Sequence, residues 1–374
     1  MNIVFRADAS IEIGSGHVMR CLTLAEALRQ QGHQCHFICR AHLGHLGAVI
    51  EGKGFPLSLL PIAASPFSVD PKIEHNAHAN WLGASWQQDA EQCSATLIQL
   101  FEGEKPDWLV VDHYALDYRW QQTCKPYYQK LMVIDDLADR KHLCQLLLDQ
   151  TYGRNPVDYQ TYVPSDCKLL IGAEYAVLRP EFTQWRNYSL QRRQQQYQQA
   201  QPIQQLLINL GGVDKDNITG QVLKALENST LDQACKITVV MGKTAPHLLQ
   251  VQQFAASSKY SITVLSAVSN MAELMANADF AIGAAGSTAW ERCTLGLPTL
   301  MIILADNQKL IAAQLQAAQA AWSIEAQDCH QLTHFWSSID GQVLINTSLS
   351  AQTVADGLGV DKIVEEIDPS ILKS

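Results

Sequence analysis

Short apolar runs alternate along the first half of this chain with stretches whose apolar positions recur at helical spacing. Strands are predicted at residues 2–6, 34–39 and 56–60, and again at 108–111, 130–134 and 146–148. Between them, residues 18–31 carry Met19, Leu22, Leu24, Ala25 and Leu28 as a helical stripe that Gly32 closes. A short helix ends near residue 52, and residues 86–102 read as another. This order predicts parallel strands joined by right-handed helical crossovers. The second half restarts it, with strands at 205–210, 236–241, 261–265, 280–282 and 299–303. Helices are predicted near 219–226, 246–256 and 270–276, then one ending near 294 and a last one near 360–366. Two stretches break the rhythm. Residues 61–83 turn to Pro, Ser, Asn and His, as a loop or insertion does, and residues 189–204 turn to Gln and Arg, as a polar linker does. The expected architecture is α/β: two Rossmann-like, doubly wound domains at 1–188 and 205–350, a linker at 189–204, a C-terminal extension at 351–374, and an interdomain cleft.

Polar residues gather where the strands end, the edge at which such sheets bind ligands. After the first strand comes Gly14-Ser15-Gly16-His17. Its glycines allow a sharp turn and close approach to a ligand, and a helix starting there turns free N–H groups toward the same spot. The loop lacks the last glycine of a dinucleotide fingerprint, since Met19 stands there. His17 is either a helix-start histidine of structural use or a general base; the helix N-terminus, which disfavours imidazolium, suits a base. In the second half, Gly283-Ala284-Ala285-Gly286-Ser287 follows a strand and opens a helix, with Glu291 one turn further on. Backbone amides and the Ser287 hydroxyl there could hold a diphosphate, and Glu291 could accept ribose hydroxyls; the plain alternative is a capped turn with a surface glutamate. Gly211 and Gly212 end the first strand of that half. Asp112-His113-Tyr114 and Asp135-Asp136 offer either metal or acid–base chemistry, or carboxylates that cap the following turns. His33, His36, His42, His45, His75 and His78 show no consistent ligand spacing.

Composition narrows the choices. At 374 residues, 47% hydrophobic and 17% charged, the chain has apolar mass for sizeable cores. A net charge of −10 argues against a nucleic-acid partner. The ten cysteines form no C-x-x-C pair, so free thiols used as small core residues are expected, with no zinc or other metal site. No signal peptide is expected, and no apolar run approaches the ~20 residues that span a bilayer. A cytoplasmic protein without membrane association is expected.

Several motifs, in order, resemble the UDP-sugar hydrolases of pseudaminic acid biosynthesis. They run from Phe5-Arg6-Ala7-Asp8 and Gly14-Ser15-Gly16-His17-Val18-Met19-Arg20-Cys21-Leu22 to Trp81-Leu82-Gly83, Asp112-His113-Tyr114 and Ile134-Asp135-Asp136-Leu137-Ala138-Asp139-Arg140. Tyr175-Ala176-Val177-Leu178-Arg179-Pro180-Glu181-Phe182, Leu210-Gly211-Gly212, Ala285-Gly286-Ser287 with Glu291, Gly296-Leu297-Pro298 and Asn307-Gln308 continue the match, which covers residues 1–319. The second half also resembles the UDP-binding half of the N-acetylglucosaminyltransferase of peptidoglycan synthesis. Together these resemblances imply a GT-B-like fold with UDP held mainly by the C-terminal domain.

The resemblance implies hydrolysis of UDP-2,4-diacetamido-2,4,6-trideoxy-β-L-altropyranose by water attack at the anomeric carbon, without cofactor. It implies His17 as general base, Tyr114 beside the sugar, Glu291 at the ribose, and Asn307 with Gln308 at the sugar. Gly211, Gly212, Gly286 and Ser287 would line the diphosphate; Gly14 and Gly16 shape the loop, and Arg179 joins the substrate-binding set without an assigned role. A monomer is expected. Competing readings are a GT-B glycosyltransferase, a hydrolase or epimerising hydrolase of another UDP-sugar, and a catalytically silent UDP-sugar-binding protein.

Overall fold

The computed structural model describes residues 1–62, 76–199 and 203–371. Most of the loop expected at 61–83, with His75, lies outside them. The chain divides into two compact units, residues 1–177 with 359–374, and residues 178–358.

The first unit is built on strands β1 (Asn2–Ala7), β2 (Gln34–Arg40), β3 (Leu57–Leu60), β4 (Trp108–Asp112), β5 (Lys130–Ile134), β6 (Leu146–Asp149) and β7 (Lys168–Ile171). They form one parallel sheet in the order β3-β2-β1-β4-β5-β6-β7. Parallel strands are covered on both faces, which is why β1, β4 and β6 are apolar and buried almost throughout. One face packs on helices Gly16–Gln30 and Gly359–Ile367 through Val18, Cys21, Leu22, Ile363 and Val364. The other packs on helices Trp86–Leu100 and Tyr118–Cys124 through Cys93, Leu97, Trp120 and Cys124. The strand order reverses direction between β1 and β4, where Ala7 pairs with Asp112.

The second unit repeats the plan with β8 (Gln205–Asn209), β9 (Lys236–Met241), β10 (Ser261–Ser266), β11 (Phe280–Ala284), β12 (Thr299–Ile303) and β13 (Trp322–Glu325). All are parallel, in the order β10-β9-β8-β11-β12-β13, and the reversal falls between β8 and β11.

Two expected boundaries are corrected. The presumed linker is, over residues 189–198, the second half of helix Pro180–Gln198, which belongs to the second unit. Its apolar content is low, yet Ser189, Arg193 and Tyr197 are buried because they hydrogen-bond carbonyls of neighbouring turns: Arg193 donates to Leu295, Met275 and Ala278, and Tyr197 to Asp279. The presumed extension at 351–374 is split. Helix Gly341–Val354 stays in the second unit, and helix Gly359–Ile367 returns to the first. Val360, Ile363, Val364 and Ile367 form a buried stripe there at i, i+3, i+4 and i+7.

Nine of the ten cysteines are buried and Cys167 is half-buried, as expected of core thiols. Among the described residues no helix is long and apolar enough to cross a membrane.

Candidate functional site

A doubly wound sheet opens a crevice where its strand order reverses, beyond the carboxyl ends of the two strands. In the first unit those ends carry loop 8–15 and residues 112–114. The loop is tied tightly. Ser10 Oγ accepts from the amides of Glu12 and Ile13, and the Gly14 amide donates to the Ser10 carbonyl at 2.9 Å. Gly14 has φ +80°, a backbone conformation that favours glycine. Helix Gly16–Gln30 begins immediately after, so His17 sits on its first turn as expected.

The imidazole of His17 is buried, and its Nδ1 lies 2.5 Å from Asp112 Oδ1. A carboxylate only accepts, so Nδ1 carries a proton, and in the neutral ring Nε2 is the nitrogen with the lone pair. Arg20, one turn along the same helix, donates from Nε to Asp112 Oδ2 at 2.6 Å and from Nη2 to Oδ1 at 2.7 Å. Its Nη1 donates to Asp136 Oδ2 at 2.5 Å. Burial alone would raise the Asp112 pKa, but the Arg20 charge and then His17 hold it below the usual carboxylate range. Tyr114 packs edge-on against His17 with ring centres 4.6 Å apart and donates its hydroxyl to Asp136 Oδ2 at 2.9 Å. Burial, then the Asp136 charge, keeps that phenol protonated. His78 and Trp81 add an aromatic wall, at 5.3 and 6.0 Å from the Tyr114 ring.

The two acidic clusters separate by function. His113 turns away to Asp8, 3.3 Å from its carboxylate, and Asp135 is held by Arg140 and Tyr159 while accepting from the Ala138 amide as a turn cap does. Asp112 and Asp136 instead join the His17 cluster, with their carboxylates engaged by Arg20. The sequence motifs single out His17 and Tyr114 but not Arg20; the readable signal was its i, i+3 spacing from His17, which puts both on one helix face.

In the second unit, Gly211 and Gly212 follow β8 and the Gly286-Ser287 turn follows β11, so both glycine turns flank the reversal of that sheet. Gly211 has φ +95°. Gly212 is held from behind by Gly242, whose amide donates to its carbonyl at 3.0 Å; a Cβ on Gly242 would come within 2.1 Å of that oxygen. Gly242 therefore shapes this turn, a contact invisible in local sequence.

Gly283 serves packing rather than a ligand, because the buried Arg292 guanidinium fills the space where its side chain would be. Gly286 is open on its side-chain face, with only Gln308 Nε2 near. Ser287 precedes helix Thr288–Thr294 but its hydroxyl makes no cap hydrogen bond. Glu291 lies on that helix, 4.0 Å from Arg179, which also pairs with Glu181 at 2.8 Å. Burial pushes the Glu291 pKa up to about 7 against the pull of Arg179. Asn307 is exposed on the one-turn helix Asp306–Gln308, whose Gln308 Oε1 accepts from the Leu304 amide at 3.0 Å. Arg179, Gly286, Ser287, Glu291, Asn307 and Gln308 thus lie along one strand-end region of the second unit.

Comparison with known proteins bears on both units. Residues 206–340 match the family model of the glycosyltransferase family 28 C-terminal domain. The family resemblance read from the motifs holds along the chain, which is 25% identical over 326 residues to the UDP-2,4-diacetamido-2,4,6-trideoxy-beta-L-altropyranose hydrolase of Campylobacter jejuni. That alignment covers 87% of this chain and 99% of that protein. The spore coat polysaccharide biosynthesis protein SpsG of Bacillus subtilis is 21% identical over 370 residues, covering 97% of this chain and 96% of its own. Among solved structures, Acinetobacter baumannii MurG matches with a TM-score of 0.69 at 16% identity, covering 98% of this chain and 99% of that one. This likeness establishes a GT-B-like fold.

Proposed function

We infer that the chain hydrolyses UDP-2,4-diacetamido-2,4,6-trideoxy-β-L-altrose to UDP and 2,4-diacetamido-2,4,6-trideoxy-L-altrose, a cytoplasmic step toward pseudaminic acid on flagellin or surface polysaccharide, as a monomer. The observation that carries this reading is His17 with Nδ1 engaged by Asp112 and Nε2 free at the sheet reversal. It is supported by the similarity to a curated hydrolase along nearly the whole chain.

His17 takes a proton from water as the water attacks the anomeric carbon, a role worth ~10²–10⁴-fold for a positioned base. Asp112 holds the tautomer and stabilises the imidazolium that forms, as the carboxylate of a catalytic triad does. UDP leaves as a stable dianion or trianion, so the demand falls on holding the diphosphate. Gly211, Gly212, Gly286 and the uncommitted Ser287 hydroxyl supply donors for it, Glu291 accepts from the ribose, and Asn307 with Gln308 binds the sugar. Single displacement gives inversion at C1. Because Arg20 already engages Asp112 and Asp136, full activity is expected in the presence of EDTA.

A second reading has its own support: the family 28 domain and the GT-B-like fold suit a glycosyltransferase. Incubating the purified chain with a panel of UDP-sugars, with EDTA and no acceptor, separates the two. Free UDP from the diacetamido-L-altrose compound supports hydrolysis; release that waits for an added acceptor supports transfer.

A further inference from the structure

The His17 cluster holds one residue that the proposed chemistry leaves unassigned. Arg20 is nine-tenths buried and places three nitrogens on two carboxylates: Nε and Nη2 on Asp112, Nη1 on Asp136. Asp112 then carries His17, and Asp136 carries the Tyr114 hydroxyl. The two groups that face the reacting sugar in the proposed reading are therefore braced by a single guanidinium. Only arginine has a planar fork that can do this; a lysine ammonium would keep the charge and lose the bidentate geometry.

Charge makes the brace more than a spacer. The groups facing the imidazole are Asp112 from β4, Arg20 on its own helix with Nη2 3.5 Å from Nδ1, and Tyr114 beyond β4. His78 and His113 act on it from one shell further out, Asp136 sits behind Tyr114, and Arg140 lies over the Tyr114 ring. With His17 neutral, Asp112 and Asp136 contribute two negative charges against the single positive charge of Arg20. Proton uptake by His17 then brings this group to neutrality, which favours the imidazolium as it forms. Without Arg20, two uncompensated carboxylates would favour the imidazolium before substrate arrives.

We propose that Arg20 is the positioning residue of this site: its guanidinium aligns Asp112 and Asp136 together and offsets their charge beside His17. This rests on His17 being the base. The brace acts through His17 and Tyr114 and touches neither water nor sugar.

The test is a pair of variants read by pH. In Arg20→Met, the acid limb of kcat/KM moves up by about one pH unit and activity lost at pH 7 partly returns at higher pH. In Arg20→Lys, which keeps the charge, the limb stays in place while kcat falls about tenfold. UDP affinity stays unchanged in both, as does circular dichroism. The His17 imidazole resonance, assigned by its loss in His17→Asn, titrates about one unit higher in Arg20→Met than in the wild type. That titration needs no turnover, so it separates the brace from the proposed reaction. An unmoved His17 titration in a folded Arg20→Met variant, or an activity loss equal at every pH, overturns the proposal. A wild-type chain that releases no UDP while the titration still moves would leave the brace standing and refute the hydrolase reading.

Discussion

Glu291 is a carboxyl whose ionisation is pushed toward neutral pH. Burial raises its pKa to about 7, and Arg179 at 4.0 Å offsets this only in part. If its carboxylate accepts the ribose hydroxyls, UDP binds more tightly as pH rises from 6 to 8, and Glu291→Gln flattens that dependence in a calorimetric titration. Stability runs the opposite way. A carboxyl whose folded pKa lies above its unfolded value contributes stability that is complete below the unfolded pKa and is lost as pH rises through the folded one. The wild type should therefore lose stability between pH 4.5 and 7, and Glu291→Gln should remove part of that slope in urea titrations. An unchanged slope would mean that Glu291 ionises without cost. His17 and Tyr114 stood out in the sequence because they lie beside glycine and strand-end signals. Arg20 did not, because its role depends on Asp112 and Asp136, residues 92 and 116 positions away.

At the level of elements, helix Pro180–Gln198 shows what periodicity cannot see. Its Gln/Arg-rich end reads as linker because a linker and a helix held by buried arginine have the same low apolar content. What fixes it is Arg193, fully buried, donating to the Ser189 hydroxyl and to the carbonyls of Leu295, Met275 and Ala278. Arg193→Met leaves those carbonyls unpaired and should cost about 3 kcal/mol in denaturant unfolding, since each buried unsatisfied group costs roughly 1–3 kcal/mol. A loss near zero would return this segment to the status of a linker. Strands β7 and β13 were also missed. Each has four residues at a sheet edge; in β13 Ser323 and Glu325 interrupt the apolar run that marks a central strand, whereas the Leu169-Leu170-Ile171 run of β7 was readable. The central strands β1, β4, β8 and β11 were legible because burial on both faces keeps at least three consecutive positions of each apolar.

Across the whole chain, two parallel sheets each reverse their strand order once, and each reversal carries residues singled out for chemistry. The first holds a His–Asp pair beside a tyrosine; the second holds paired glycine turns, a serine hydroxyl with no cap to make, and a glutamate poised near pH 7. The strand rhythm alone announced the sheets and the edge on which these residues lie. It could not assign the returning helix Gly359–Ile367, because an apolar stripe reveals that a partner exists without saying which face supplies it. In the proposed reaction His17 drives water onto a UDP-sugar. That role is tested most directly by following UDP release from UDP-2,4-diacetamido-2,4,6-trideoxy-β-L-altrose, without acceptor, by wild type and by His17→Ala with UDP binding measured in parallel. The expected result is at least a ~10²-fold loss of turnover with UDP affinity retained. Turnover that survives the substitution would contradict it.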